Sequence, residues 1–150
     1  GSGGAARAVV IGLQDYLNVK NIKLFNRSKN RALSLAEDLG GFITVLDLDQ
    51  LSSELSDVSM LINATNLGMS GQNKLNIDIT NLSQECIVYD IVYSPLETRL
   101  LEAARSQGNP TVDGLGMLLY QAQPGFECWF GIKPTVTDSL KEHVLSALAK

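Results

Sequence analysis

The chain has 150 residues, of which 45% are hydrophobic and 19% are charged, and its formal net charge is −4 at pH 7. This composition supports a single domain, residues 1–150, with a buried core, and it excludes disordered, collagen-like and coiled-coil proteins. The acidic balance and the lack of any Lys/Arg cluster argue against a protein that binds nucleic acid or a lipid surface by bulk electrostatics.

The cysteines and the hydropathy of the chain favour a cytoplasmic protein. Cys86 and Cys128 lie far apart without C-x-x-C spacing, so they predict thiols in a reducing compartment rather than a disulfide or a zinc site. No apolar run approaches the roughly 18 residues that span a bilayer, and no signal-peptide pattern is present. We therefore expect no membrane partner and no metal.

Strand-like and helix-like patterns alternate along the chain. Because strands that alternate with helices form parallel sheets, the fold class predicted is α/β, a Rossmann-like doubly wound, mainly parallel sheet with helices on both faces. In chain order, the patterns predict a helix over 5–16, a strand over 22–25, a helix from Ser28 as N-cap to Gly40 as C-cap, a strand over 42–46, a short helix over 49–55, strands over 59–63 and 86–91, a helix over 96–107, a short strand over 110–112, and helices over 114–130 and 137–149.

A glycine-rich loop opens directly into the first predicted helix. It matches the G-x-G-x-x-A pattern of dinucleotide-binding domains as Gly1-Ser2-Gly3-Gly4-Ala5-Ala6. The N–H groups at the start of the helix would face a pyrophosphate. In such domains a central strand precedes this loop, so we expect residues upstream of Gly1 that supply it.

The end of the second predicted strand indicates which dinucleotide binds. An NAD-specific domain carries Asp or Glu there, about 20 residues after the glycines, to accept a hydrogen bond from the ribose. This chain has Asn26-Arg27-Ser28 instead, with Arg31 close behind. A guanidinium group can bind a 2′-phosphate through two parallel hydrogen bonds, so the predicted cofactor is NADP.

Five blocks of sequence follow one another along the chain. They are Gly1-Ser2-Gly3-Gly4-Ala5-Ala6-Arg7-Ala8, Asn26-Arg27-Ser28 with Arg31, Ile62-Asn63-Ala64-Thr65 with Leu67-Gly68-Met69, Tyr89-Asp90-Ile91-Val92-Tyr93 with Pro95, and Asp113-Gly114-Leu115-Gly116-Met117-Leu118 with Gln121. In this order the blocks resemble shikimate dehydrogenase. The resemblance spans nearly the whole chain but corresponds only to the C-terminal NADP-binding domain of that family. It implies NADPH-dependent reduction of 3-dehydroshikimate to shikimate, in the biosynthesis of aromatic amino acids.

The resemblance also implies a role for each matching residue. It assigns cofactor binding to residues of all five blocks and substrate binding to two residues that reach the interdomain cleft. The Lys and Asp that transfer protons in this family belong to its N-terminal substrate domain, so no catalytic residue is assigned to this chain. The implied sites are Gly1, Ser2, Gly3, Gly4 and Ala5 for the pyrophosphate, Asn26, Arg27, Ser28 and Arg31 for the 2′-phosphate, Thr65 along the cofactor, Ile91, Gly114 and Met117 at the nicotinamide, and Tyr93 and Gln121 for the substrate hydroxyls.

The sequence leaves three alternatives for the complete protein to which this chain belongs. The first is a shikimate dehydrogenase whose terminal helices, about 114–149, pack on the absent domain, with this chain inactive alone and a homodimer as one possible assembly. The second is a quinate/shikimate dehydrogenase relative, and the third is a stand-alone dinucleotide-binding module without catalysis. Pro124 and Gly125 also predict an interruption in the helix that carries Gln121.

Overall fold

The computed structural model describes residues 1–148, which form a mixed α/β structure in which strands alternate with helices. Every predicted strand is present, and the predicted helices are present except that three of them differ in helix type, start or continuity. The elements are α1 (Gly4–Leu17), β1 (Ile22–Phe25), α2 (Lys29–Leu39), β2 (Ile43–Leu46), two 3₁₀ turns (Leu48–Gln50 and Ser52–Leu55), β3 (Met60–Asn63), β4 (Ile87–Asp90), α3 (Arg99–Ser106), β5 (Thr111–Val112), α4 (Leu115–Phe130) and α5 (Asp138–Leu148).

The strands form two parallel sheets. In the first, β1 pairs with β2, with Ile22 opposite Ile43. In the second, β4 lies between β3 and β5, and Asn63 at the end of β3 is opposite Asp90 at the end of β4. No strand pairing joins β1 to β3 within residues 1–148. The predicted parallel α/β class is therefore confirmed, and the break between the two sheets falls where a doubly wound sheet has its central strand.

Each sheet has its own hydrophobic core. Leu24 and Ile43 of the first sheet pack with side chains of α1 and α2, among which Ala32 is fully buried. Val88 of the second sheet packs with Leu101 of α3 and with residues of the connecting segments. The two cores fix the strands, and the loops that follow the strands are thereby held at one edge of each sheet.

Three helix predictions differ from the structure. The helix predicted over 49–55 is two 3₁₀ turns, the first of which is closed by a capping box between Asp47 and Gln50. The helix predicted over 96–107 begins only at Arg99, because Thr98 caps it by accepting a hydrogen bond from the Leu101 N–H. Helix α4 is not interrupted, since it continues through Pro124.

Two predicted helix caps occupy their expected positions. Ser28 is the N-cap residue of α2, although its side chain makes no capping hydrogen bond. Gly40 follows α2 with a φ of 111°, a conformation that favours glycine. At the end of the chain α5 ends at Leu148, and Ala149 of the predicted last helix lies outside the described residues.

Candidate cofactor-binding site

The glycine-rich loop lies between the carboxyl ends of the two sheets. The Gly1 nitrogen donates a hydrogen bond of 2.7 Å to the Phe25 carbonyl oxygen at the end of β1. On the other side, a Cβ atom on Gly1 would lie 2.5 Å from the Ala64 carbonyl oxygen, just after β3. Only glycine fits this close approach, so the loop is held against both sheets at the edge where parallel α/β folds bind ligands.

Helix α1 begins immediately after this loop and has the features of an anion-binding helix end. Gly3 is its N-cap residue, and the first turn contains no acidic side chain. Ser2 is half-buried, whereas Gly3, Gly4 and Ala5 are exposed, so a ligand can approach the N–H groups of the first turn. The partial positive charge of this helix end favours a phosphate group.

Cationic side chains follow β1 next to the loop. Arg27 and Arg31 are exposed, and neither forms a salt bridge with any residue of 1–148, whereas Lys29 between them donates a 2.7 Å hydrogen bond to Asp47. Arg31 lies in the first turn of α2, which has no acidic side chain to offset its charge against the helix dipole. The structure therefore leaves two guanidinium groups available to an anionic ligand.

The turn that presents these arginines is fixed by a local hydrogen bond. The Asn26 side-chain amide donates to the Ser28 carbonyl oxygen at 2.8 Å, and Ser28 itself is exposed. This contact closes the backbone between β1 and α2, so that the Arg27 side chain leaves the sheet at a defined point.

A buried polar network joins the ends of β3 and β4. Asp90 has no exposed surface, and its carboxylate accepts hydrogen bonds from the Asn63 side-chain amide at 2.9 Å, the Val92 N–H at 3.0 Å and the Thr98 hydroxyl at 2.7 Å. Burial raises the pKa of Asp90 above its ordinary value of 3.8, and the three donated hydrogen bonds oppose that rise. The network holds the loops after both strands and the start of α3 together.

The start of α4 packs directly on the backbone after β4. A Cβ atom on Gly114 would lie 2.3 Å from the Ile91 carbonyl oxygen and 2.5 Å from that of Val92. The Asp113 carboxylate accepts a 2.9 Å hydrogen bond from the N–H of Leu115, the first residue of α4. The structure thus brings Gly114 and Ile91 together, as expected for two residues of one pocket.

The remaining predicted residues are placed less tightly. Thr65 is half-buried and lies beside Gly1, since its methyl carbon would be 3.0 Å from a Cβ atom there. Tyr93 and Met117 are half-buried, and Gln121 is exposed one helical turn after Met117 on α4. Their binding roles stay predictions.

Sequence reasoning assigned Asn63 and Asp90 no site role and did not identify Thr98. The missed signal was the pairing of an amide and a carboxylate at the ends of neighbouring parallel strands, where side chains of the same register position meet. Thr98 is also recognisable as a helix N-cap residue from its type.

Comparison with known proteins identifies relatives of the whole chain. The family model described as "Shikimate 5'-dehydrogenase C-terminal domain" matches residues 114–137. The chain is 53% identical to the NADP(+) shikimate dehydrogenase of Paramagnetospirillum magneticum and 47% identical to that of Methylobacterium radiotolerans. These matches cover 97% and 99% of this chain and 52% of each relative, so the chain spans about half the length of the curated relatives it matches.

Solved structures agree with these sequence matches. The quinate dehydrogenase of Corynebacterium glutamicum in complex with NAD is similar with a TM-score of 0.87 and 30% identity, over 97% of this chain and 53% of that one. The shikimate dehydrogenase of Thermus thermophilus in complex with NADP(H) and shikimate has a TM-score of 0.79 and 30% identity, over 99% of this chain and 53% of that one. The resemblance to shikimate dehydrogenases is confirmed over nearly the whole chain. Within residues 1–148, no helix is both long and apolar enough to cross a membrane.

Proposed function

We propose that this chain is the NADP-binding domain of a shikimate dehydrogenase, which reduces 3-dehydroshikimate to shikimate with NADPH. The observation that carries the proposal is the pair of exposed guanidinium groups of Arg27 and Arg31, without ion pairs in the described residues, beside the glycine-rich loop. Two cations at this position fit the 2′-phosphate that distinguishes NADP from NAD.

The described residues fit the rest of the dinucleotide. Gly1, whose close contact with Ala64 excludes a side chain, leaves the loop open to the pyrophosphate at the start of α1. Thr65 is assigned to a position along the cofactor, and Ile91, Gly114 and Met117 are assigned to the nicotinamide end. When bound there, NADPH supplies the hydride that reduces the ketone.

The chain's own contribution to the reaction is binding and orientation. Tyr93 and Gln121 are assigned to the substrate hydroxyls, and both have exposed surface with which to reach a ligand. Reduction of a ketone also needs a proton donor within hydrogen-bond distance of the oxygen. We assign that donor to the other half of the enzyme and no catalytic residue to this chain.

The same proposal accounts for two incomplete features of the fold. We place a further parallel strand, leading into Gly1, in the break between β1 and β3, because the Gly1 nitrogen already bonds to the end of β1. We also place the substrate domain against α4, whose end exposes Trp129 by 80% and Ile132, just beyond it, by 68%. Large apolar side chains exposed together are typical of a surface that a second domain covers.

We also propose a compartment, a small-molecule partner and an assembly for the complete protein. A dehydrogenase of this kind would act in the cytoplasm, with shikimate or 3-dehydroshikimate as its small-molecule partner, and we propose a homodimer as its assembly. Sedimentation analysis of the full-length protein at several concentrations tests the dimer.

Calorimetric titration of the full-length protein with NADPH and with NADH tests the cofactor assignment. We expect NADPH to bind at least about tenfold more tightly, because each charge-assisted contact contributes about 1.5–3 kcal/mol. Arg27→Ala and Arg31→Ala should each reduce this preference and leave thermal stability within about 0.5 kcal/mol of wild type, as expected for exposed side chains.

Lys29→Ala is the matched control for these variants. It removes a cation from the same turn, but one that is already paired with Asp47, so the preference for NADPH should change less than about threefold. A wild-type protein that binds both nucleotides equally, or arginine variants that keep the full preference, would contradict the proposal.

A further inference from the structure

The hydrogen bonds of Asn63 leave its side-chain amide only one orientation. Its nitrogen donates to the Asp90 carboxylate at 2.9 Å and to the Leu67 carbonyl oxygen at 3.1 Å. Its oxygen accepts from both the N–H and the hydroxyl of Thr65, at 3.1 and 2.7 Å. Both amide hydrogens and both acceptor positions are used, and a flipped amide would lose the hydrogen bonds to Asp90, to the Leu67 carbonyl oxygen and to the Thr65 N–H.

This orientation determines what the Thr65 hydroxyl can do. Its hydrogen is donated to the Asn63 oxygen, and the hydroxyl oxygen accepts a hydrogen bond from the Leu67 N–H at 3.1 Å. One lone pair is left, so toward a ligand the hydroxyl can only accept. Thr65 is half-buried with its methyl carbon toward Gly1, and within residues 1–148 no further hydrogen bond uses that lone pair.

Asp90 connects this arrangement to the second loop of the site. The same carboxylate that bonds to Asn63 also accepts from the Val92 N–H, in the loop that carries Ile91 and Tyr93. If Asn63 or Val92 separated from the Asp90 carboxylate, a buried polar group would be left without a hydrogen bond. We therefore expect the loops that follow β3 and β4 to move together.

We propose that Asn63 and Asp90 are the positioning residues of the nicotinamide end of the site, and that they hold Thr65 as a hydrogen-bond acceptor for a donor group on that half of the cofactor. This inference rests on the proposed function, because it assumes that NADP binds at this edge. It adds that the buried Asp90 carboxylate fixes the Asn63 amide, and that this amide in turn orients the Thr65 hydroxyl toward the ligand.

The experiment compares two probes in the full-length protein. NADP+ contains the nicotinamide half, whereas adenosine 2′,5′-bisphosphate contains only the adenosine and phosphate groups. Asn63→Ala and Asp90→Ala should weaken NADP+ binding about tenfold, the effect of roughly one lost hydrogen bond, and leave bisphosphate binding within about twofold. Asp90→Asn, which keeps an acceptor oxygen toward Asn63, should restore NADP+ binding.

Asn109→Ala is the matched control for a general loss of stability. Asn109 is also 5% exposed, like Asn63, but its amide bonds to the Ser83 and Cys86 carbonyl oxygens at the opposite end of β4. We expect this variant to melt at a lower temperature with an unchanged ratio of the two affinities. If Asn109→Ala also weakened NADP+ binding relative to bisphosphate binding, the inference would be overturned.

Thr65→Val covers the case in which the alanine variants do not fold. It keeps the shape of the half-buried side chain and removes the acceptor, so NADP+ binding should fall about tenfold while bisphosphate binding is kept. Unchanged NADP+ binding in Thr65→Val, or an equal loss of both probes in the alanine variants, would overturn the inference. Failure of the wild-type protein to bind either probe would instead refute the proposed function.

Discussion

At the carboxyl ends of β3 and β4, the buried Asp90 carboxylate accepts hydrogen bonds from the side chains of Asn63 and of Thr98, which are also buried. By contrast, Arg27 after β1 and Arg31 in the first turn of α2 are exposed and have no ion pair within residues 1–148. The first region, the buried network, contributes to the stability of the fold because its polar groups would be costly to leave unpaired. The second region, the exposed arginine pair, contributes little to stability and leaves its charge for a ligand.

The difference predicts where substitutions lower stability and where they lower binding only. Changes in the buried network or in the backbone packed on it should lower the free energy of unfolding, whereas changes in the arginine pair should not. Urea denaturation of Gly114, Thr98 and Asp90 variants measures the first effect, and nucleotide titration of the arginine variants measures the second.

Gly114→Ala should have the largest effect. Its Cβ atom would lie 2.3 and 2.5 Å from two carbonyl oxygens of the backbone after β4, which cannot move without shifting the network. We expect a loss of about 3 kcal/mol in the free energy of unfolding, measured by urea denaturation. Gly125→Ala is the control, because nothing lies within 4 Å of its added methyl group and alanine favours the helix, so it should be neutral or stabilising. Equal stabilities of the two variants would refute the close packing of Gly114.

Thr98→Val should have the next largest effect. The substitution removes the 2.7 Å hydrogen bond to the buried Asp90 carboxylate and the cap of α3, at an expected cost of about 2 kcal/mol. Thr80 offers a matched exposed contact, since its hydroxyl donates to the Asp78 carboxylate at the same 2.7 Å. Thr80→Val should cost less than about 1 kcal/mol in the same urea experiment, because water replaces the lost hydrogen bond. Similar losses in both variants would show that burial does not distinguish the two contacts.

Sequence patterns were sufficient for the parts of this fold that depend on local chemistry. The helices, the parallel strands and the glycine-rich loop are visible in hydrophobic spacing and in residue type, and Gly40 is recognisable as a helix end. The prediction of a helix over 49–55 was wrong. The capping box between Asp47 and Gln50 closes a 3₁₀ turn there, and hydrophobic spacing alone does not distinguish a 3₁₀ turn from a short α-helix.

The candidate site was predictable to the extent that its residues carry a chemical type suited to a phosphate. Arg27 and the glycines belong to that group. Thr98 was missed because its importance depends on a contact with Asp90, eight residues earlier, that exists only once α3 packs beside β4. The close approach of Gly114 to Ile91 likewise depends on the tertiary arrangement, which no local pattern encodes.

The pH dependence of stability should distinguish the buried carboxylate from the exposed one by sign. Burial raises the pKa of Asp90 above 3.8, so the folded state binds its proton more strongly than the unfolded state. The stability that this group contributes is present below pH 3.8 and is lost as the pH rises through its folded-state pKa. Asp90→Asn removes the titration, so the variant should gain stability relative to wild type across that interval.

The exposed Asp78 should show the opposite sign. Hydrogen bonds from the Thr80 N–H and hydroxyl lower its pKa below 3.8, so its contribution is present above that value and is lost as the pH falls through the folded-state pKa. Asp78→Asn should therefore lose stability relative to wild type as the pH rises through this lower interval. Urea denaturation of both variants and wild type between about pH 3 and 7 measures the two slopes. Slopes of the same sign would mean that Asp90 is not desolvated as the buried network requires, and the contrast between a buried network and an exposed surface would then lose its electrostatic basis.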